Sequence, residues 1–282
     1  MIKDKHVIEA IGRAKVTIEN GKVTKVEQPE IDYCPIFNKY HKMEKITPEA
    51  IKKNIQYRID DFGMCTPQRK VRLDDMLSVG ISEILKTNKE LGNIDVVVGA
   101  CDGVGTLLMD DPEIIQGVGG RVSALVSTTP IPEVIENVGI ENVLDPKTAS
   151  LDPIAGLKMA LDKGYKKIAI TILPSPLIKQ IREMNLPDDV TIYILVAHTT
   201  SATEDEIKDV FEYADIVSGC ASEYVRKYAQ KNKAYYYGDK VSMYATSEAG
   251  HKLLDDRLRK TGKDLSINVY PQNDEDIPNP LL

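Results

Sequence analysis

The sequence predicts an α/β protein, a mostly parallel sheet with helices on both faces, preceded by an N-terminal β-hairpin and a helical segment. Three observations lead there. From residue 94 onward, short apolar runs rich in β-branched residues alternate with stretches of helical period. The runs at 94–98, 167–172 and 191–196 are almost continuously apolar, as strands covered on both faces must be. Upstream, Asn20-Gly21 separates two alternating segments, a strong hairpin signal because both residues tolerate positive φ.

Taken in order, the hairpin spans 15–27, and residues 32–46 lack a clear period, which predicts a long loop carrying Cys34. Thr47-Pro48-Glu49 opens a helix, with proline at the first helical position. Ile51, Ile55 and Ile59 give that helix one buried face, Gly63 ends it, and Cys65 follows at once. A second helix is predicted over 72–91, stopped by Gly92. Strands are then expected at 94–98, 123–126, 142–144, 167–172, 191–196 and 215–217. Helices are expected from near Pro112, Pro132, Asp152, Pro176, Thr203 and Glu223, and Thr203 with Glu206 forms a capping box. Tyr235-Tyr236-Tyr237 reads as a half-buried strand, since neighbouring side chains on a strand face opposite ways. The expected division is 1–91 as hairpin and helices packed on the core, 92–265 as the α/β core, and 266–282 as a tail.

Composition narrows the function. The 282 residues suffice for a sizeable core, and 42% hydrophobic content argues against disorder. A net charge of −7 disfavours sequence-independent binding to nucleic acid or anionic membranes. No apolar run is long enough to span a bilayer, and charges interrupt the N-terminal MIKDKHVIEAIG, so a cytoplasmic protein is expected. In that compartment the four cysteines are thiols, ligands or catalysts before they are disulfides.

Ligands of open parallel sheets bind outside the carboxyl ends of the strands. The segments following the predicted strands are GACDGVGT, STTP, PSP, AHTTS and SGCAS. They gather Cys101, Cys220 and His198 at one edge among small hydroxyl residues and glycines. The glycine loop lacks the Gly-Lys-Ser/Thr of a phosphate-binding loop and the third glycine of a dinucleotide fingerprint. Gly103, Gly105 and Thr106 therefore either cradle an anion with their amides or make a tight turn. Ser127, Thr128 and Thr129, like His198 and Thr199, exceed what helix capping needs, which favours a polar pocket. Asp102 either holds a cation or positions a substrate, or caps the turn. His198 is a ligand, a general base or a structural histidine. His6, His41 and His251 read as surface residues. Cys34, Cys65, Cys101 and Cys220 each stand beside a breaker or a strand end. Together they compose a candidate set for zinc or an iron-sulfur cluster, against the alternative of small core side chains.

The segments EAIGRAKVTIENGKV, DYCPIF, RIDDFGMCTP, ACDGVGT, GVGGRVSALVSTTPIPEVIENVG, NVLDP and DIVSGCASEYVRKYA resemble the methanogenesis marker protein 8 family over about residues 9–230. The resemblance reaches all four cysteines. It implies a setting, methane formation in strictly anaerobic archaea, without a reaction or a catalytic residue set. Thiolate ligation of oxygen-sensitive centres is at home there.

Three functions are expected from these readings. The first is an accessory protein that binds a metal or iron-sulfur centre through its cysteines. It would assist assembly, activation or modification of a methane-pathway enzyme such as methyl-coenzyme M reductase. The second is an enzyme acting on a phosphorylated or carboxylated small molecule, with Cys101 or His198 doing chemistry. The third is a non-catalytic module that recruits a partner protein.

Overall fold

The computed structural model describes residues 4–121, 124–238, 242–263, 266–267 and 277–282. Strands β1 (His6–Glu9), β2 (Lys15–Glu19) and β3 (Lys22–Val26) lead into helices α1 (Pro35–His41), α2 (Pro48–Phe62) and α3 (Ile81–Glu90). Next come β4 (Val96–Cys101), β5 (Gly105–Met109), α4 (Pro112–Gly119), β6 (Ala124–Ser127), α5 (Pro132–Val138) and α6 (Pro153–Asp162). The alternation continues with β7 (Lys167–Ile172), α7 (Leu177–Arg182), β8 (Thr191–Val196), α8 (Glu204–Tyr213), β9 (Ile216–Ser218) and α9 (Glu223–Asn232). β10 (Tyr235–Tyr237), β11 (Met243–Ala245), α10 (Glu248–Lys260) and β12 (Ser266–Ile267) close the series.

The strands form two sheets. An antiparallel sheet of order β3-β2-β1-β6 faces α2, and an eight-stranded sheet has the order β12-β10-β11-β9-β8-β7-β4-β5. In β4, Val96 and Val98 join one core and Val97 the other, as the two-residue period of a strand requires. Leu157, Ile178, Ile207 and Val225 of α6 to α9 cover one face, and Leu85, Ile115 and Leu254 of α3, α4 and α10 the other. A third core packs Ile8, Val16 and Ile18 against Ile51, Ile55, Ile59 and Phe62 of α2. Each such burial contributes roughly 1.5–3 kcal/mol. Thr47 caps α2 by accepting the Ala50 N–H at 3.2 Å, and Gly63 ends it in the left-handed region.

The large sheet is mixed, which corrects the expectation of a mostly parallel one. Only β4, β7, β8 and β9 run parallel, and the other pairings are antiparallel. The cause at one side is local. Gly103 and Gly105 take φ of 80° and 78°, and the Val104 N–H closes a turn onto the Cys101 carbonyl at 3.1 Å. The chain therefore reverses into β5 instead of entering a helix. Residues 124–127 pair antiparallel with β1 in the other sheet, so the expected strand there leaves the core sheet, and residue 123 lies outside the described residues. Residues 140–142 form a 3-10 turn, and Val143 makes only an isolated bridge to Leu107. Thr106 is fastened on the same side, its N–H donating to Ser150 and its carbonyl accepting from Leu144.

The helix expected over 72–91 begins only at Ile81, because Glu83 accepts the backbone N–H groups of Met76 and Leu77 and holds the preceding stretch as a loop. The loop expected over 32–46 contains α1, with Cys34 immediately before Pro35. At the other end, Asn279 exchanges backbone hydrogen bonds with Tyr33, and the Leu282 N–H donates to Ala221 at 2.7 Å.

A methyl group at Gly105 would meet the Ala149 carbonyl at 2.4 Å, on top of a positive φ, whereas Gly92 has positive φ and open space. Gly105→Ala is expected to lose about 2–5 kcal/mol in chemical denaturation, and Gly92→Ala about 1–2 kcal/mol. Equal losses would contradict the steric reading.

Candidate functional site

Strand order decides which cysteines meet. Cys101 ends β4 and Cys220 follows β9, with β7 and β8 between them. Three strand spacings separate the two by about 14 Å. The four thiols accordingly fall into two pairs. Cys65 and Cys101 lie within electrostatic reach of each other, and so do Cys34 and Cys220. Among the described residues no group of three or more His, Cys, Asp or Glu side chains is arranged to hold a metal ion.

The first pair surrounds Asp102, which is wholly buried. Its carboxylate accepts Arg69 Nε at 3.0 and 3.2 Å and the Cys65 N–H at 2.6 Å. Arg69 Nη1 and Nη2 donate to the carbonyls of Lys70 and Gly117, and its guanidinium lies 4.9 Å from the Phe62 ring centre. Burial opposes the Asp102 charge, but Arg69 and the Cys65 N–H outweigh it and hold the carboxyl below its ordinary range. Burial and the neighbouring Asp102 charge push both thiols up, Cys65 strongly. Cys65 and Cys101 are thus protonated near neutral pH, and Cys101 Sγ contacts the Asp102 carbonyl at 3.4 Å.

The anticipated hydroxyl residues tie this centre to the small sheet. Thr128 Oγ1 accepts the Gly103 N–H at 2.7 Å and lies 2.6 Å from His6 Nδ1. His6, expected on the surface, is fully buried, with its other ring nitrogen 2.8 Å from Asp4. It occupies an inward position of β1, and two partners satisfy its polar atoms. His41 is exposed, and His251 stacks on Tyr235 at 3.8 Å. Thr129 accepts the Lys5 N–H, Ser127 is exposed, and Thr106 Oγ1 accepts the Asp152 N–H at 2.9 Å.

His198 Nε2 lies 3.1 Å from Glu9 Oε2, joining the end of β8 to β1. The hydrogen bond from His198 holds the Glu9 carboxyl below its usual range, against the effect of burial. Thr199 Oγ1 donates to the Ser218 carbonyl at 2.7 Å. His198, Ser201, Cys220 and Cys65 have φ of 59°, 58°, 36° and 57°, a conformation costing a non-glycine residue about 1–2 kcal/mol. Cys34 is pushed up by burial, with a further contribution from Cys220 and opposition from the N–H groups of Phe37 and Ile36.

A cavity of about 410 Å³ opens at the carboxyl ends of β4, β7 and β8. Val97 to Ala100, Thr171 to Ser175 and Ala197 form its floor. Leu85 of α3, Ile115 and Val118 of α4, Leu125 of β6 and Leu177 of α7 form its walls. Its surface is mostly apolar, and the buried Ser175 Oγ has no protein partner. Of the anticipated site residues only Thr106 lines it; Asp102, Gly103, Gly105, Ser127, Thr128, Thr129, His198, Thr199 and the cysteines do not. Sequence reasoning places PSP, with Ser175, at this edge without singling it out, and passes over Thr171, Arg69, Glu9 and the burial of His6. The arginine four residues after Cys65 and the histidine in an alternating strand were the available signals.

Asp102→Ala leaves Arg69 buried without a counter-charge and should cost about 3–5 kcal/mol. Because the Asp102 carboxyl titrates below its ordinary value of about 3.9, its contribution is complete above that value. It is lost as pH falls through the lowered folded value. Urea denaturation from about pH 5 downward should show that acid loss in the parent and not in the variant; identical acid slopes would exclude the assignment.

A family model described as "Uncharacterized protein conserved in archaea (DUF2099)" matches residues 6–259. A protein of Methanocaldococcus jannaschii, itself described as uncharacterized, is 36% identical over 285 residues, covering 99% of this chain and 100% of the relative. No helix among the described residues is long and apolar enough to cross a membrane. With both matches running across nearly the whole fold, the chain belongs to the DUF2099 family of proteins conserved in archaea.

Proposed function

We propose that this protein binds a largely apolar small molecule, carrying one polar end, in the cavity at the carboxyl edge of the parallel strands. The observation that supports it is the cavity itself, of about 410 Å³ and apolar apart from a few hydroxyls, with the Ser175 hydroxyl free to orient a ligand. Its position matches the place where strand ends and helix N-termini of open sheets collect ligands. The motifs resembling methanogenesis marker protein 8, together with a relative in a methane-forming archaeon, make a coenzyme of that metabolism or its precursor the ligand class to test. Ala100 lines the cavity and is solvent-exposed, so Ala100→Phe obstructs the mouth without loading the core. A thermal-shift screen of such coenzymes should give a stabilising hit in the parent. The variant should lose the hit while changing stability by no more than about 0.5 kcal/mol. A hit that survives Ala100→Phe would place the ligand elsewhere.

A second reading is favoured by Cys34 and Cys220, which distant segments bring near each other, Cys220 in a left-handed backbone conformation. In it, the thiols bind a metal or iron-sulfur centre, and the protein assists a methane-pathway enzyme such as methyl-coenzyme M reductase. Anaerobic purification with iron, sulfide and zinc analysis should then find metal that is lost in Cys220→Ser. Metal-free protein with four titratable thiols would discard the reading.

A further inference from the structure

Nine arginines stand in the chain, and three of them pair with no carboxylate among the described residues. Arg13, Arg69, Arg72, Arg182, Arg257 and Arg259 each pair with a carboxylate. Arg226 is occupied by the carbonyls of Gly219, Cys220 and Ser222. Arg58 of α2 and Arg121, just beyond α4, have no carboxylate within ion-pair distance among the described residues. They are nevertheless fixed in place. Arg58 Nη1 donates to the Arg121 carbonyl at 2.7 Å, and its guanidinium lies 5.6 Å from the Phe37 ring centre. The Arg121 guanidinium lies 5.3 Å from the Phe62 ring centre. The charges of both also reach His41 of α1, so three separate segments bring two cations and an imidazole near one another.

We propose that Arg58 and Arg121 form a binding site for a phosphate group, free or carried by a small ester, separate from the strand-edge cavity. Two arginines fixed on aromatic faces keep unused N–H donors, and a tetrahedral dianion accepts from two guanidinium forks at once. Burial first, and then the charge of Arg121, lower Arg58 to about 10, and a bound anion would oppose both effects. His41, lowered by burial and by both arginines, is a neutral donor or acceptor beside them at neutral pH.

Titration calorimetry on the full chain at constant ionic strength tests the assignment, with inorganic phosphate, phenyl phosphate and benzoate as probes. Both phosphates should bind saturably, and benzoate should bind more weakly by roughly tenfold or more. Arg58→Gln and Arg121→Gln should each weaken phosphate by roughly tenfold or more. Arg72→Gln, at a site paired with Asp111, should leave it unchanged. Arg121 sits in a turn, so its variant remains informative should Arg58→Gln misfold. Phosphate that does not saturate, benzoate binding equally well, or Arg121→Gln without effect would each overturn the proposal. Loss of phosphate binding in Ala100→Phe would overturn the separation from the cavity.

Discussion

The buried pair of Arg69 and Asp102 is the constraint around which the molecule is arranged. Asp102 stands in the turn just after the first strand of the core sheet, and Arg69 belongs to the loop leaving α2, so the pair rivets the N-terminal unit to the large sheet. Its reach is wider than two residues. Through Arg69 it holds Gly117 of α4, through Cys65 it fixes the turn after α2, and beside it Gly103 and Thr128 connect to His6 of the small sheet. A charge pair in such surroundings is favourable only when every remaining donor is satisfied. Here each Arg69 nitrogen has an acceptor.

That arrangement, with burial, keeps the two cysteines beside Asp102 in the thiol form. Thiolates need neighbouring positive charge, and the one cation present is already neutralised by Asp102. Left-handed backbone recurs at candidate site residues, at Cys65 within this centre and at His198, Ser201 and Cys220 at the ends of β8 and β9. Backbone held in the left-handed region persists only where its surroundings over-determine it.

Much of the architecture was legible in the residues. The caps at Thr47, Asp152 and Thr203 and the apolar runs of β4, β7 and β8 carry their signals locally. What escaped depends on distant partners. Nothing in ALVS tells a strand which sheet to join, and the glycines of CDGVG suit a hairpin as well as a strand-to-helix turn. The helix over 72–80 fails because Glu83 claims its backbone, a competition invisible to periodicity. At the candidate site, Thr106 alone of the residues singled out from the sequence lines the cavity. Thr171 and Ser175 line the cavity, while the hydroxyls after β6 are spent on contacts with the β1 segment and the Gly103 turn.

One consequence concerns association between molecules. β5 is the outermost strand on its side of the large sheet, and all five of its residues are buried. An apolar border strand with unused backbone groups would template pairing with a neighbouring chain. The segment from Val143 to Ser150 lies along it and takes up the Thr106 N–H and carbonyl as well as the bridge at Leu107. The irregular stretch between α5 and α6 is thus a selvedge, covering backbone groups of β5 that a neighbouring strand would otherwise meet.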